Sequence, residues 1–388
     1  MRLSTSRRRS LRHLAGMVAM AGGMSSMPSL AASGASCTRR WTAWENFKKN
    51  FLGPDGRVVD ASLESKGTTS EGQSYALFFA LLANDRQTFD RVLAWTENNL
   101  ADGDLTARLP AWLWGRNKDG SWGVIDRNAA SDSDLWIAYA LGEAGRLWNN
   151  RRYVALSSLL ASRILREETS DIPGLGLTLL PGPLGFLPTS TSWRLNPSYM
   201  PLQIMQWFVQ VGHDPRWNKL LASSRRVILE SAAKGFSPDW IIYEKDKGFR
   251  IDEIGDEKGE GAYNAIRVYL WAGMLHPECD DRAALLARFA PMANLVEQQG
   301  YPPESVDIRN GTFKRAGPPG FSAAMLPFLV AAGRTQALAQ QKQRLAVTPI
   351  ADDAYYGQVL GLFAAGWMEQ RYAFARNGRL LPQWETCR

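Results

Sequence analysis

Glu71, in TTSEGQSYALFFALLA, and Asp132, in AASDSDLWIAYALGEAGRLW, each open a long apolar run and each follow a Ser or Thr able to cap a helix. A carboxylate in the first turn of a helix meets the positive end of the helix dipole, which favours its charge. Two carboxyls so poised are what cleavage of a glycosidic bond requires. One protonates the leaving oxygen, and the other attacks the sugar or activates a water. Glu71 is taken as the acid, because its neighbours Tyr75, Leu77 and Phe78 form an apolar setting that helps a carboxyl keep its proton. Asp132 is the second carboxylate, and Asp134 beside it is free to cap the helix. The plain alternative, two carboxylates that only cap helices, fits the local pattern equally well.

Tryptophan placement adds to the same chemistry. The chain has 15 tryptophans, with Trp112, Trp114 and Trp122 ahead of Asp132 and Trp193 ahead of Asn196. Sugar rings have apolar faces, so a polysaccharide cleft needs flat aromatic platforms with polar groups between them. Most of the tryptophans are expected in the core, and those in loops are the candidates for substrate contact.

The elements that must position these residues follow from periodicity. Helix-period runs fall at about 40–52, 71–83, 86–99, 132–148, 151–167, 197–211, 214–233, 261–274, 280–299, 320–332, 334–344 and 354–372. Brief turns such as NDR, NNR, GHDP and AGR alternate with long Gly-, Pro- and Trp-rich connections at about 100–130, 168–196, 234–260 and 300–319. Short links imply antiparallel neighbours, so the long loops gather at one end. This predicts an all-α chain, an (α/α)6 barrel of about twelve helices in six hairpins, with strand only as short hairpins inside the loops. An α-solenoid is the alternative, but no sequence motif repeats.

In that layout the inner helices begin on one face with Glu71, Asp132, Asn196 to Tyr199, Tyr263 to Arg267, Pro319 to Ser322, and Tyr355 with Tyr356. Independent elements aiming polar and aromatic groups at one place define a cleft. The expected substrate-contacting residues are Trp114, Trp193, Tyr199, Asn264, Arg267 and Tyr356.

Residues 1–35 carry Arg2, Arg7, Arg8, Arg9 and Arg12 and no acidic residue, ahead of an apolar stretch and SLAASGA. They have the form of an export signal, by the Sec or the twin-arginine route, and residues 36–388 then make a single catalytic domain. The five leader arginines account for most of the formal charge of +7, leaving +2. A near-neutral chain without Lys/Arg runs has no electrostatic footprint for nucleic acid. No apolar stretch approaches the roughly 20 residues of a membrane span. Cys37 and Cys387 can pair if the termini meet, leaving Cys279 free. Three histidines, with no close Cys/His set, speak against a zinc site. No metal or organic cofactor is called for.

The two acidic stretches together resemble glycoside hydrolase family 8, and the second is similar to that family's signature with Ser133 where Ala or Gly is usual. AWLWG, SWRLNPSYM, AYNAIRVYLWAGM and YYGQVLGLF are similar to the family branch that accompanies bacterial cellulose synthase. The resemblance implies an inverting endo-β-1,4-glucanase, exported to the periplasm or medium, with β-1,4-glucan chains as its substrate and a functional association with the cellulose synthase complex. It matches Glu71 to the proton donor and Asp132 to the second active-site carboxylate. At Asn264 many members carry an aspartate that acts as general base, a role closed to a carboxamide at neutral pH. Asp132, or a carboxylate of the loop holding Asp252, Glu253, Asp256, Glu257 and Glu260, is then left to activate water. Xylan, mixed-linkage glucan or chitosan as substrate, and a glucan-binding assembly factor without hydrolysis, are the competing readings.

Overall fold

The computed structural model describes residues 40–255 and 258–387, so expectations about the leader, Cys37, Asp256 and Glu257 lie outside it, as does the Cys387 side chain. Helices follow in the order α1 (Thr42–Phe51), α2 (Ser70–Leu82), α3 (Arg86–Leu100), α4 (Ser131–Trp148), α5 (Arg151–Glu167), α6 (Leu202–Val211) and α7 (Arg216–Ser231). They continue with α8 (Ala265–Met274), α9 (Asp280–Arg288), α10 (Ala290–Gln299), α11 (Pro319–Ala331), α12 (Thr335–Val347) and α13 (Tyr355–Met368). The run expected at 280–299 is two helices, because Pro291 opens α10 without an N–H to give back to the preceding turn. The run expected from 197 begins as a 3-10 turn, Pro197–Tyr199, and Pro201 delays α6 to Leu202.

Burial separates the helices into two rings. In α4 every residue but Arg146 is buried, and α2 is buried throughout except at Glu71. Helices apolar on all sides belong inside other helices. In α5, by contrast, the buried set Tyr153, Leu156, Ser157, Leu160, Ala161, Ile164 and Leu165 forms one stripe. The inner ring is α2, α4, α6, α8, α11 and α13, each preceded by an outer partner. It closes through Phe363 of α13, which packs on Tyr75, Phe78 and Phe79 of α2, Trp136 of α4 and Trp271 of α8. These rings plug the axis of an (α/α)6 barrel. Below them the C-terminal hairpin Tyr372–Phe374/Leu380–Pro382 covers the lower end, with Tyr139 donating to the Gly378 carbonyl at 2.9 Å. Close approach of inner helices depends on glycine: a Cβ on Gly273 of α8 would stand 2.2 Å from the backbone nitrogen of Phe328 in α11.

Among the described residues all strands are short, and apart from the C-terminal hairpin they lie in the connections. Thr68–Thr69, Leu113–Arg116 and Trp122–Asp126 form one antiparallel sheet at the upper end, and Ser192–Leu195, Ile241–Glu244 and Gly248–Ile251 form another. No helix among these residues is long and apolar enough to cross a membrane.

Candidate active site

Thr69 accepts a hydrogen bond from the Gly72 N–H at 3.1 Å and so caps α2, leaving Glu71 in its first turn. Gly72 is needed for a second reason, since a Cβ there would lie 2.3 Å from the Tyr355 hydroxyl. The start of α4 differs from expectation. Its N-cap residue, Ala130, has no side chain to offer, and Asp132 itself accepts from the Ser133 N–H at 2.7 Å and the Ser133 hydroxyl at 3.2 Å.

Arg267 of α8 gathers the pieces. One guanidinium nitrogen, Nη1, donates to Glu71 Oε2, to the Tyr75 hydroxyl at 3.1 Å and to Asp132 Oδ2 at 3.2 Å. The other, Nη2, donates to Asn264 Oδ1 at 2.8 Å and to the Ser198 hydroxyl at 3.1 Å. Asn196 holds Ser198 in turn, accepting from its hydroxyl at 2.8 Å. The Tyr199 ring lies 5.6 Å from the guanidinium. Only 4% of the Arg267 side chain and 3% of Asp132 are exposed, against 25% for Glu71, so the glutamate is the member that substrate meets. Arg267, expected as a substrate contact, stands beneath the carboxyls as their shared cation.

Burial raises the Glu71 carboxyl above its usual range, against the pull of Arg267, and the adjacent Asp132 carboxylate raises it further. Burial raises Asp132 too, opposed by Arg267 and by the two Ser133 bonds. One guanidinium cannot neutralise two carboxylates. Asp132, with the larger set of donors, is the anion, and Glu71 holds the proton. Both carboxyls accept from the same Arg267 nitrogen. Two carboxyl oxygens on one nitrogen stand closer than the roughly 6.5–9.5 Å that an inverting acid and base leave for a water, so Asp132 does not occupy the base position opposite Glu71. Two described carboxylates of the acidic loop are already engaged. Asp252 is buried in an ion pair with Arg194 at 2.6 Å, and Glu260 is paired with Lys314.

Above these groups lies an open cleft of about 1380 Å³, lined by Glu71, Asn264, Arg267, Tyr355 and Tyr356, the 60–65 loop, and the hairpin around 113–125. Its aromatic platforms are Trp112, 36% exposed, and Tyr263, 44% exposed. Trp112 is fixed beside the acid, its carbonyl accepting from the Ser70 N–H at 3.0 Å. Tyr356 donates from its hydroxyl to the Tyr263 carbonyl at 2.5 Å. Trp114 packs on Trp95, Trp122 and the Arg57 guanidinium, away from the lining. Trp193 is 6% exposed, in the strand paired with Tyr243. Of the six expected substrate contacts, Asn264, Arg267 and Tyr356 lie in the lining, and Tyr199 sits directly behind it.

An inner ring that opens on a carboxylic acid beside a buried carboxylate and arginine, under an aromatic-walled cleft, is the arrangement of a glycan-cleaving hydrolase. The family model for glycosyl hydrolases family 8 matches residues 17–370. An endoglucanase of Escherichia coli O157:H7 is 49% identical over 368 residues, spanning 95% of this chain and 98% of its own. The crystal structure of endo-1,4-D-glucanase from Vibrio fischeri ES114 superposes with a TM-score of 0.82 at 46% identity, covering 89% of this chain and 99% of that one. An endo-beta-1,4-glucanase from Acetobacter xylinum superposes at 0.69 with 27% identity, covering 85% and 98%. The chain belongs to glycoside hydrolase family 8.

Proposed function

We propose that the chain is an exported endo-β-1,4-glucanase that cuts internal bonds of glucan chains with inversion, working beside bacterial cellulose synthesis. The observation that carries this is Glu71, a quarter exposed on the floor of an open cleft while its partners Asp132 and Arg267 are buried. The cleft is open rather than enclosed, as binding the middle of a chain requires, and the names of the relatives support a β-1,4-glucan as substrate. Glu71 protonates the leaving oxygen. Asp132 and Arg267 hold its carboxyl in place, and water attacks from the opposite face of the sugar, releasing its proton to solvent, from which the ionised Glu71 is reprotonated. Asn264 orients that water without deprotonating it, because its Oδ1 is engaged by Arg267 and its other atom is an N–H donor. The arginine-rich, acid-free leader supports export, and the motif resemblance supports the link to cellulose synthesis.

The missing carboxylate at Asn264 also favours a second reading, a glucan-binding factor with little hydrolysis. Reducing-end release from a soluble cellulose derivative separates the two. Release lost in Glu71→Gln supports the glucanase. Tight glucan binding with no release from the wild type supports the binding factor.

A further inference from the structure

Asp134 and Glu168 are buried acids that the chemistry above does not use. Asp134 lies two residues beyond Asp132 in the first turn of α4, Glu168 follows the last turn of α5, and both are 0% exposed. Among the described residues no N–H or O–H donor is hydrogen-bonded to any of their four carboxyl oxygens. α4 and α5 form a tightly packed hairpin through Asn149 and Asn150, so the start of one lies beside the end of the other and the two carboxyls act on each other there. Other buried acids here are treated differently: Glu143 accepts from the Trp207 indole N–H at 2.6 Å and the Leu380 N–H at 3.0 Å. The charged groups that face the pair are acidic, Asp132 from α4 and Glu167 from α5. Neighbouring cations are engaged, Arg163 and Arg166 on Glu167, Arg216 on Asp214 and Arg267 on Asp132. Two ionised carboxylates in this setting would repel with no donor between them, whereas one O–H donated to the other carboxyl satisfies both.

We propose that Asp134 and Glu168 share a proton as a carboxyl pair that seats the first turn of α4, and through it positions Asp132. Ala130 gives that turn no side-chain cap, so its seating falls to neighbouring contacts. The Ser131 N–H donates to the Pro181 carbonyl at 3.0 Å and the Leu180 N–H to the Glu168 carbonyl at 2.8 Å, which ties the turn to the same residues. Burial holds both carboxyls well above the usual range, so the pair keeps its proton above the pH at which the unfolded chain releases it.

Glu168→Gln is the test, because its N–H2 donates to Asp134 with the same shape and does not titrate. Denaturant unfolding of the full chain is followed from about pH 5 to pH 9 for both proteins. The folded wild type holds a proton that its unfolded chain releases above about pH 4.3. Its unfolding constant therefore rises, relative to that of Glu168→Gln, by about tenfold per pH unit until the pair ionises. Parallel profiles would overturn the shared proton, and this readout does not depend on catalysis. The positioning role rests on hydrolysis at Glu71 and is read separately at about pH 6. Glu168→Ala lowers kcat by about tenfold or more with KM little changed, and Glu168→Gln restores it. Wild-type kcat in both variants would refute the positioning role.

Discussion

Asn264→Asp places a carboxylate where the cleft now holds a carboxamide. The residue lies at the start of α8 with its Oδ1 2.8 Å from Arg267 Nη2, so the new carboxylate keeps that contact and turns its second oxygen toward the cleft. Attraction to the guanidinium is about 4 kcal/mol at an effective dielectric near 20, and repulsion from Asp132, held by the same arginine, opposes it by a comparable amount. The fold therefore tolerates the change. A general base contributes about 10²–10⁴-fold, so kcat should rise by at least about tenfold even with imperfect geometry. The assay is the initial rate of reducing-end formation from cellopentaose at saturating substrate. The variant also gains a decline in rate at acid pH, as its new carboxylate is protonated and loses its basicity. A kcat within about threefold of wild type, with KM unchanged, would refute the reasoning and place water activation elsewhere.

Arg267→Met leaves the Glu71 and Asp132 carboxyls without their shared cation, so unfolding should cost about 3–5 kcal/mol less than in the wild type, measured by denaturant titration. Loss of the arginine also removes a pull that lowers the Glu71 pKa, so the alkaline limb of the residual rate, where Glu71 loses its proton, should move to higher pH. Trp112→Ala removes an exposed platform beside the acid, and KM for cello-oligosaccharides should rise by about 2–12-fold, from about 0.5–1.5 kcal/mol of lost stacking, with kcat less affected. Gly273→Ala drives a methyl into the backbone of α11, and thermal unfolding should show about 1–3 kcal/mol of lost stability.

The barrel was legible because its inner helices are apolar on every side and its short turns are too brief for anything but antiparallel neighbours. Glu71, Asp132 and the Asn264 departure were legible from their place at the starts of such helices. What the sequence hid was facing. In the Leu113–Arg116 strand the pairing register shifts between Leu113 and Trp114, so strand alternation does not say which tryptophan looks into the cleft. Trp112 does, and Trp114 does not. Trp193 likewise falls on the covered side of a hairpin whose partner strand lies about fifty residues away. Ser198, and the contact of Tyr75 with Arg267, had no signal of their own, because each depends on where an arginine from a distant helix ends. Pro291 was visible, but a proline in the middle of a periodic run is consistent with either one kinked helix or two.

The most direct test of inverting cleavage with Glu71 as acid is the anomeric configuration of the first product from cellopentaose, followed by NMR in wild type and Glu71→Gln. Asp132 sits beneath Glu71 on the same Arg267 nitrogen and is buried from the cleft, so it is not placed to attack the sugar from the face opposite the acid. The account therefore predicts α-anomer ahead of mutarotation, lost in Glu71→Gln. Initial β-anomer, or α-anomer undiminished in the variant, would contradict it.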